Sequence, residues 1–366
     1  MKLNRKFLSL FLLLSLLTPF AGCGKTDAGA NLAVPADGKT LTVSFLDVGQ
    51  GDSIFIELPD GDTMLIDASE ADQAKGIIDY IEGRGHDTLD YVVATHPHAD
   101  HIGGMAEVLQ AFEVGEIWMP DADSDTKTYE RLLETVEEKK IPLKVATAGK
   151  SILSTESLTV DIIAPCAKEY EDLNNYSAVL SLTYGKTRFL FTGDAEAHSE
   201  EEILESGVSL SADVLKMGHH GSSTSSSEAF VKAVDPKWGV ISCGEGNSYG
   251  HPHRETLTLA EKLGIELLRT DLLGTIVMTS DGETVKYGKS ESSGNADADN
   301  ESENGAAPAP GTGYHWVLNT SSKKIHRADC SSAESISDQN RAESDKSVSE
   351  LVAEGYSPCG SCDPED

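Results

Sequence analysis

The chain has 366 residues, a quarter of them charged, and a formal net charge of −32. That length exceeds one average domain and accommodates one large unit and one small one. A field of this sign excludes tight nucleic-acid binding by bulk electrostatics, which draws on Lys and Arg at phosphates. It leaves room for an enzyme whose bound cations invert the local sign.

The first residues read Lys2, Arg5 and Lys6, then an apolar run from Phe7 to Leu17, then Phe20-Ala21-Gly22-Cys23. A basic segment, a short apolar run and small residues before a cysteine form a secretory signal over residues 1–22. The run is short for a membrane span. Ala21-Gly22-Cys23 resembles a bacterial lipobox, with Phe20 where leucine is commoner. That resemblance implies cleavage before Cys23 and its lipidation. The protein would then be held on the outer face of the cytoplasmic membrane by a polar tether over 23–39, since two acyl chains suffice for stable anchoring. The rival is a plain signal peptide with an incidental cysteine.

From residue 40 the pattern becomes foldable. Short apolar runs at 41–46, 53–58 and 63–67, broken by Gly and Pro, predict an antiparallel meander. Ala74, Ile77, Ile78 and Ile81 fall at helical spacing, and that helix ends at Gly83 to Gly85. Further helices are expected around 104–112, 127–140, 198–206, 226–234 and 254–263. Strands are expected at 89–94, 116–119, 158–164, 178–184, 187–192, 213–217, 238–242, 265–270 and 274–279. Two packed sheets with helices outside fit this order.

After the apolar run Leu89 to Ala94 comes Thr95-His96-Pro97-His98-Ala99-Asp100-His101, three imidazoles and a carboxylate in six residues. These are ligands for borderline divalent metals such as zinc or manganese. His96 and His98 alternate and can face one metal; Asp100 and His101 can face a second. Gly103-Gly104 let the backbone pass close to such a cluster and open a helix. This motif resembles the metallo-β-lactamase fold superfamily, which implies an αβ/βα sandwich over 40–288. Leu46 to Ser53, Thr192-Gly193-Asp194, Lys216 to Ser222 and Tyr249 to His253 resemble one branch of it, the soluble hydrolase domain of ComEC competence proteins and their free-standing relatives.

The resemblance makes Asp194 the ligand that bridges two cations. His219 and His220 follow a predicted strand; one is expected as ligand, with the preference on His219, and the other behind it or at the substrate. One metal would then have Asp100, His101, His219 and Asp194, and the other His96, His98 and Asp194. No histidine lies between His101 and Asp194, so water or Asn175 would complete the second sphere. Asp100, His251, His253, Gln50 and Asp52 are the catalytic candidates. The two histidines around Pro252 suit oxyanion binding or leaving-group protonation against a purely structural loop, and Gln50 and Asp52 sit in a glycine-bearing loop. Asp47 could hydrogen-bond a ligand histidine. The run Ser222 to Ser227 offers hydroxyls to a phosphate. His86 and His198 read as surface residues, and Cys166 and Cys243 as buried thiols.

Residues 289–313 lack apolar periodicity and read as a disordered acidic linker. Over 314–366 the chain folds again, with a strand at Tyr314 to Leu318. His326, Cys330, Cys359 and Cys362 have the spacing of a structural zinc site, which a domain of about fifty residues needs as a staple. Asn319 to His326 with Gly355 to Cys359 resembles the small metal-binding module of Ada-type repair proteins, with His326 where the relative has cysteine. Disulfides are the rival reading.

The ComEC-like and Ada-like resemblances together imply metal-dependent phosphodiester hydrolysis through a metal-activated water, with DNA or a nucleotide as substrate. The rivals are a phosphocholine or cell-wall phosphoesterase and a non-catalytic DNA- or wall-binding protein. No obligate protein partner is called for.

Overall fold

A computed structural model describes residues 39–289 and, further on, 316–320, 322–327, 336, 340–344, 346, 351 and 356–359. The expected leader, Cys23 and most of the tether lie outside the described residues, as do 290–315. The chain divides into two compact units, Met1–Ser292 and Ser293–Asp366.

In the first unit an eight-stranded and a seven-stranded sheet form. The first contains β1 (Leu41–Phe45), β2 (Ile54–Glu57), β3 (Thr63–Ile66), β4 (Thr88–Val93), β5 (Glu113–Met119), β6 (Leu143–Val145), β14 (Ile276–Ser280) and β15 (Val285–Lys289), in the order β15-β14-β1-β2-β3-β4-β5-β6. The second contains β7 (Lys150–Ser154), β8 (Leu158–Ala164), β9 (Val179–Tyr184), β10 (Thr187–Phe191), β11 (Val214–Lys216), β12 (Trp238–Ile241) and β13 (Glu266–Arg269), in the order β13-β12-β11-β10-β9-β8-β7.

Strand side chains alternate between faces, and the sequence uses both faces for burial. Leu41, Val43, Phe45, Ile54, Ile56, Met64 and Ile66 meet Leu180, Leu182, Phe189, Phe191, Val214 and Val240 in the core between the sheets. The alternate residues Phe55, Leu65, Val92 and Ile117 pack outward on α1 (Ala74–Gly83), α3 (Met105–Ala111) and α4 (Lys127–Lys139). Leu190, Leu215 and Ile241 pack outward on α5 (Ala197–Ser206), α6 (Glu228–Val234) and α7 (Arg254–Leu263). Helices therefore cover both outer faces, as the expected sandwich requires.

The elements predicted over 41–279 are present, with ends shifted by up to three residues. Sequence reading missed β6, β7, β15 and two single-turn helices, α2 (Ala99–Ile102) and α8 (Thr270–Leu273). β6 is exposed at every residue, so no buried alternation marks it. Lys289, read as the start of the linker, closes β15.

Parallel pairing runs from β3 through β6 and from β10 through β13. In open α/β sheets, the loops at the carboxyl ends of such strands are where sites collect. Here those loops follow β3, β4, β10, β11 and β12.

In the second unit, β16 (Trp316–Asn319), β17 (Lys324–Arg327), β18 (Arg341–Ser344) and β19 (Ser357–Pro358) form a sheet in the order β18-β16-β17-β19. His326 lies on β17, and the Cys359 N–H donates to the Ile325 carbonyl at 2.9 Å, so two of the expected ligands come from adjacent backbone. Cys330 and Cys362 lie outside the described residues.

Candidate metal centre

Asp100 and His101 occupy α2, directly after β4; Asp194 follows β10; His219 and His220 follow β11. One ligand atom each from Asp100, His101, Asp194 and His220 lies within 4.8 Å of all the others. Asp194 Oδ2 is 3.2 Å from His101 Nε2 and 3.4 Å from His220 Nε2, and Asp100 Oδ2 is 3.2 Å from His220 Nε2. His96 Nε2 stands 3.9 Å from Asp194 Oδ2 and 3.0 Å from His98 Nδ1. Residues nearly a hundred positions apart therefore converge on one carboxylate.

Two observations say that this cluster fits a cation. His101 Nε2 and Asp194 Oδ1 are buried and make no hydrogen bond, an arrangement that is costly unless something else satisfies them. The electrostatics also ask for positive charge. Burial works against a charged His101, yet Asp194, Asp67 and Asp100 hold its pKa well above the ordinary imidazole value. His220 is raised in the same way against burial, chiefly by Asp194 and Asp100. Asp194 lies well below the usual carboxylate range despite burial, because His101 and His220 adjoin it. By contrast, burial and the neighbouring His101 push His96 well down, which leaves a neutral imidazole suited to ligation.

Several sequence expectations are relocated by this geometry. Of the two adjacent histidines, His220 joins the four-residue cluster, while the preferred His219 stands at its edge with Nε2 3.7 Å from Asp194 Oδ2. Both adopt left-handed backbone, φ 50° and 53°, and this tight turn buries His220 while His219 remains partly exposed. His219 faces Glu196 and Thr224, each with an oxygen within about 3.2 Å of its Nδ1. Asp52, expected at the mouth, is instead buried behind His220, 3.4 Å from its Nδ1 and 2.7 Å from Lys216 Nζ. His253 is tied to Ser223 and to the Tyr249 carbonyl and does not line the cavity described below. Asn175 uses its Oδ1 to accept the Glu196 and Ser199 N–H groups at the start of α5. Its neighbour Asn174 lines the cavity, with a buried Oδ1 that lacks a hydrogen bond. Asp47 is exposed and accepts only from the nearby Gly49 N–H.

The support that Asp47 was expected to give comes from Asp67. Its Oδ2 accepts from His101 Nδ1 at 2.7 Å and from the Thr95 hydroxyl, while Oδ1 accepts the Thr95 N–H. This fixes the His101 tautomer with Nε2 turned over to ligation. Ser177 does a similar service elsewhere: its Oγ accepts the Asp194 N–H and sits 3.3 Å from His96 Nδ1. Asp67 was legible in the sequence as an acidic residue directly after an apolar strand. Lys216 was legible as a lone charge within an apolar run.

A cavity of about 340 Å³ opens over the cluster, lined by Gln50, Glu70, His98, Asn174, His219, Tyr249 and His251 among others. Gln50 Oε1 accepts the Gly244 N–H, which orients its amide nitrogen toward His251 Nδ1 at 3.5 Å. Burial first, and then the adjacent charge of His220 and His219, pull the His251 pKa down to about 4.

A family model described as "Metallo-beta-lactamase superfamily" matches residues 46–245. ComE operon protein 3 of Bacillus subtilis is 32% identical over 251 residues, covering 64% of this chain and 32% of that protein. Competence protein ComA of Neisseria gonorrhoeae is 30% identical over 245 residues, covering 67% of this chain and 33% of that protein. The chain thus spans about a third of the length of these relatives. The crystal structure of the metallo-beta-lactamase fold protein YhfI from Bacillus subtilis superposes with a TM-score of 0.47 at 14% identity, over 66% of this chain and 100% of that one.

Proposed function

The chain belongs to the metallo-beta-lactamase superfamily, in the ComEC-like branch, and on that footing we propose that it is a metal-dependent phosphodiesterase acting on DNA or nucleotides. The observation that carries the proposal is the convergence of Asp100, His101, Asp194 and His220 with two buried ligand atoms left unsatisfied. These four residues would hold one divalent cation, zinc or manganese; His96, His98 and Asp194 would hold a second. Bound cations of this kind supply an activated water at neutral pH and positive charge for phosphoryl oxygens. The competence kinship of the relatives supports nucleic acid as the substrate class, and a strongly acidic chain can take a polyanion only where local charge is reversed.

The chain's own residues contribute orientation and hydrogen bonding. Asp67 holds His101, and the Ser242 carbonyl accepts from His220 Nδ1 at 3.0 Å, with the Asp52 carboxylate 3.4 Å away as a neighbouring charge. His251 is neutral at pH 7 and receives the Gln50 amide at Nδ1, which places its proton on Nε2. It therefore serves as a neutral donor to an oxyanion, in preference to the leaving-group acid that was the other expectation. The C-terminal unit, in the same proposal, carries a structural zinc on His326, Cys330, Cys359 and Cys362. The protein acts outside the cytoplasm, anchored to the membrane through Cys23.

Hydrolysis of bis-p-nitrophenyl phosphate, p-nitrophenyl phosphocholine and plasmid DNA, each with manganese or zinc, tests the reading. Turnover of the first and third is expected. Asp194→Asn should lower it about a thousandfold or more, the scale of losing several kcal/mol of charge stabilisation. Turnover of the phosphocholine alone would replace the substrate class, and none at all would make the fold a scaffold.

A further inference from the structure

Beside the cluster, at the mouth of the cavity, stands the most exposed of the large aromatic side chains among the described residues. Tyr249 lines the cavity and is 66% exposed. A single exposed side chain of this size is ordinary on a protein surface; what sets this ring apart is its place at the cavity over the cluster and the ring it stacks on. Its ring is near-parallel to His251, with centroids 5.6 Å apart and planes at 19°. His251 in turn lies nearly parallel to His220, at 6.1 Å and 29°. A stack of three rings thus runs from solvent to a cluster residue.

The loop that presents Tyr249 is braced. Asn247 Nδ2 donates to the carbonyls of Gly244 and His251, at 2.9 Å and 2.6 Å, and its Oδ1 accepts the His251 N–H at 3.0 Å. His253 Nε2 adds a hydrogen bond to the Tyr249 carbonyl at 3.2 Å. The position of the ring is therefore set by polar contacts that would form without it. One face of the ring meets His251, and the exposure leaves the rest of it to a ligand.

We propose that Tyr249 is a specificity-determining platform on which a nucleobase next to the scissile phosphodiester stacks. The inference rests on the phosphodiesterase reading and adds to it a preference for substrates that carry an unpaired base. Every base has a π-face, so one aromatic ring binds a strand without reading its sequence. A base still in a duplex is stacked on its neighbours and must be extruded to reach such a ring. Single strands and frayed ends are therefore the preferred substrates. The acidic chain, which lacks a bulk field to attract phosphates, gains affinity at this point by stacking.

The test uses the full-length protein with manganese and two single-stranded oligonucleotides, one with normal bases and one with tetrahydrofuran abasic residues throughout. The native protein should cleave the base-bearing strand with kcat/KM five- to a hundredfold higher, the range expected for one stacked base. In Tyr249→Ala that ratio should collapse toward one, mainly through KM, whereas Tyr249→Phe should keep it. In the native protein a 2-aminopurine dinucleotide should lose fluorescence on binding, and in Tyr249→Ala it should not. Equal cleavage of both strands by the native protein, or a ratio untouched in Tyr249→Ala, overturns the platform and leaves the phosphodiesterase standing. Cleavage of neither strand overturns both.

Discussion

Lys216 is fully buried in the short strand β11, with its ammonium 2.7 Å from the equally buried Asp52. Burial alone would raise the Asp52 pKa, but Lys216 and His220 bring it down to about 2. The pair sits behind His220 and keeps a carboxylate oxygen near its Nδ1. Removing one partner of a buried ion pair costs about 3–5 kcal/mol, because the other charge is left uncompensated. Lys216→Met should accordingly lower the unfolding free energy by about that amount in urea titration, and adding Asp52→Asn should recover much of it. A single variant as stable as the native chain would show that the pair carries no such weight. At this scale the sequence was only partly readable. The histidines announced themselves by residue type and spacing, and Asp194 through the family resemblance. Choosing His220 over His219, or Asp67 over Asp47, depends on backbone turns such as the left-handed pair at 219–220, which side-chain chemistry does not encode.

The loop after β4, which carries Asp100 and His101, is locked by backbone contacts to the β1–β2 loop and to the loop after β3. The Asp52 N–H donates to the Asp100 carbonyl at 3.1 Å, and the Ala68 N–H to the His101 carbonyl at 2.7 Å. Gly51 makes the first of these approaches feasible. Its φ is +135°, and a Cβ there would stand 2.4 Å from the Asp100 carbonyl oxygen and 2.6 Å from Ser69 Oγ. Gly51→Ala should therefore displace the loop that carries Asp100, at about 1–3 kcal/mol of backbone strain, and weaken metal binding as well. Thermal unfolding with and without manganese measures both effects; an unchanged apo stability and an unchanged metal-induced shift would contradict the account. Elements of this kind were the most legible part of the chain, because alternation toward two cores writes each long strand into the sequence. The exposed β6 and the one-turn α2 have no such periodicity, and they were among the elements missed.

Over the whole molecule, charge and chemistry pull in opposite directions. A chain with net charge −32 repels polyanions, while the site it builds gathers Asp67, Asp100 and Asp194 around histidines that those same carboxylates favour in the charged form. A divalent cation resolves both conflicts, since it satisfies the buried ligand atoms and gives a phosphate something to meet. The decisive measurement is the divalent-metal content of full-length protein stripped and reloaded with zinc or manganese, with Cys330, Cys359 and Cys362 replaced by serine so that only the first unit is read. At least one equivalent should bind in that background. It should be lost on adding His220→Ala or Asp194→Asn, with the fold retained by circular dichroism. No uptake, or uptake indifferent to both substitutions, would contradict the account.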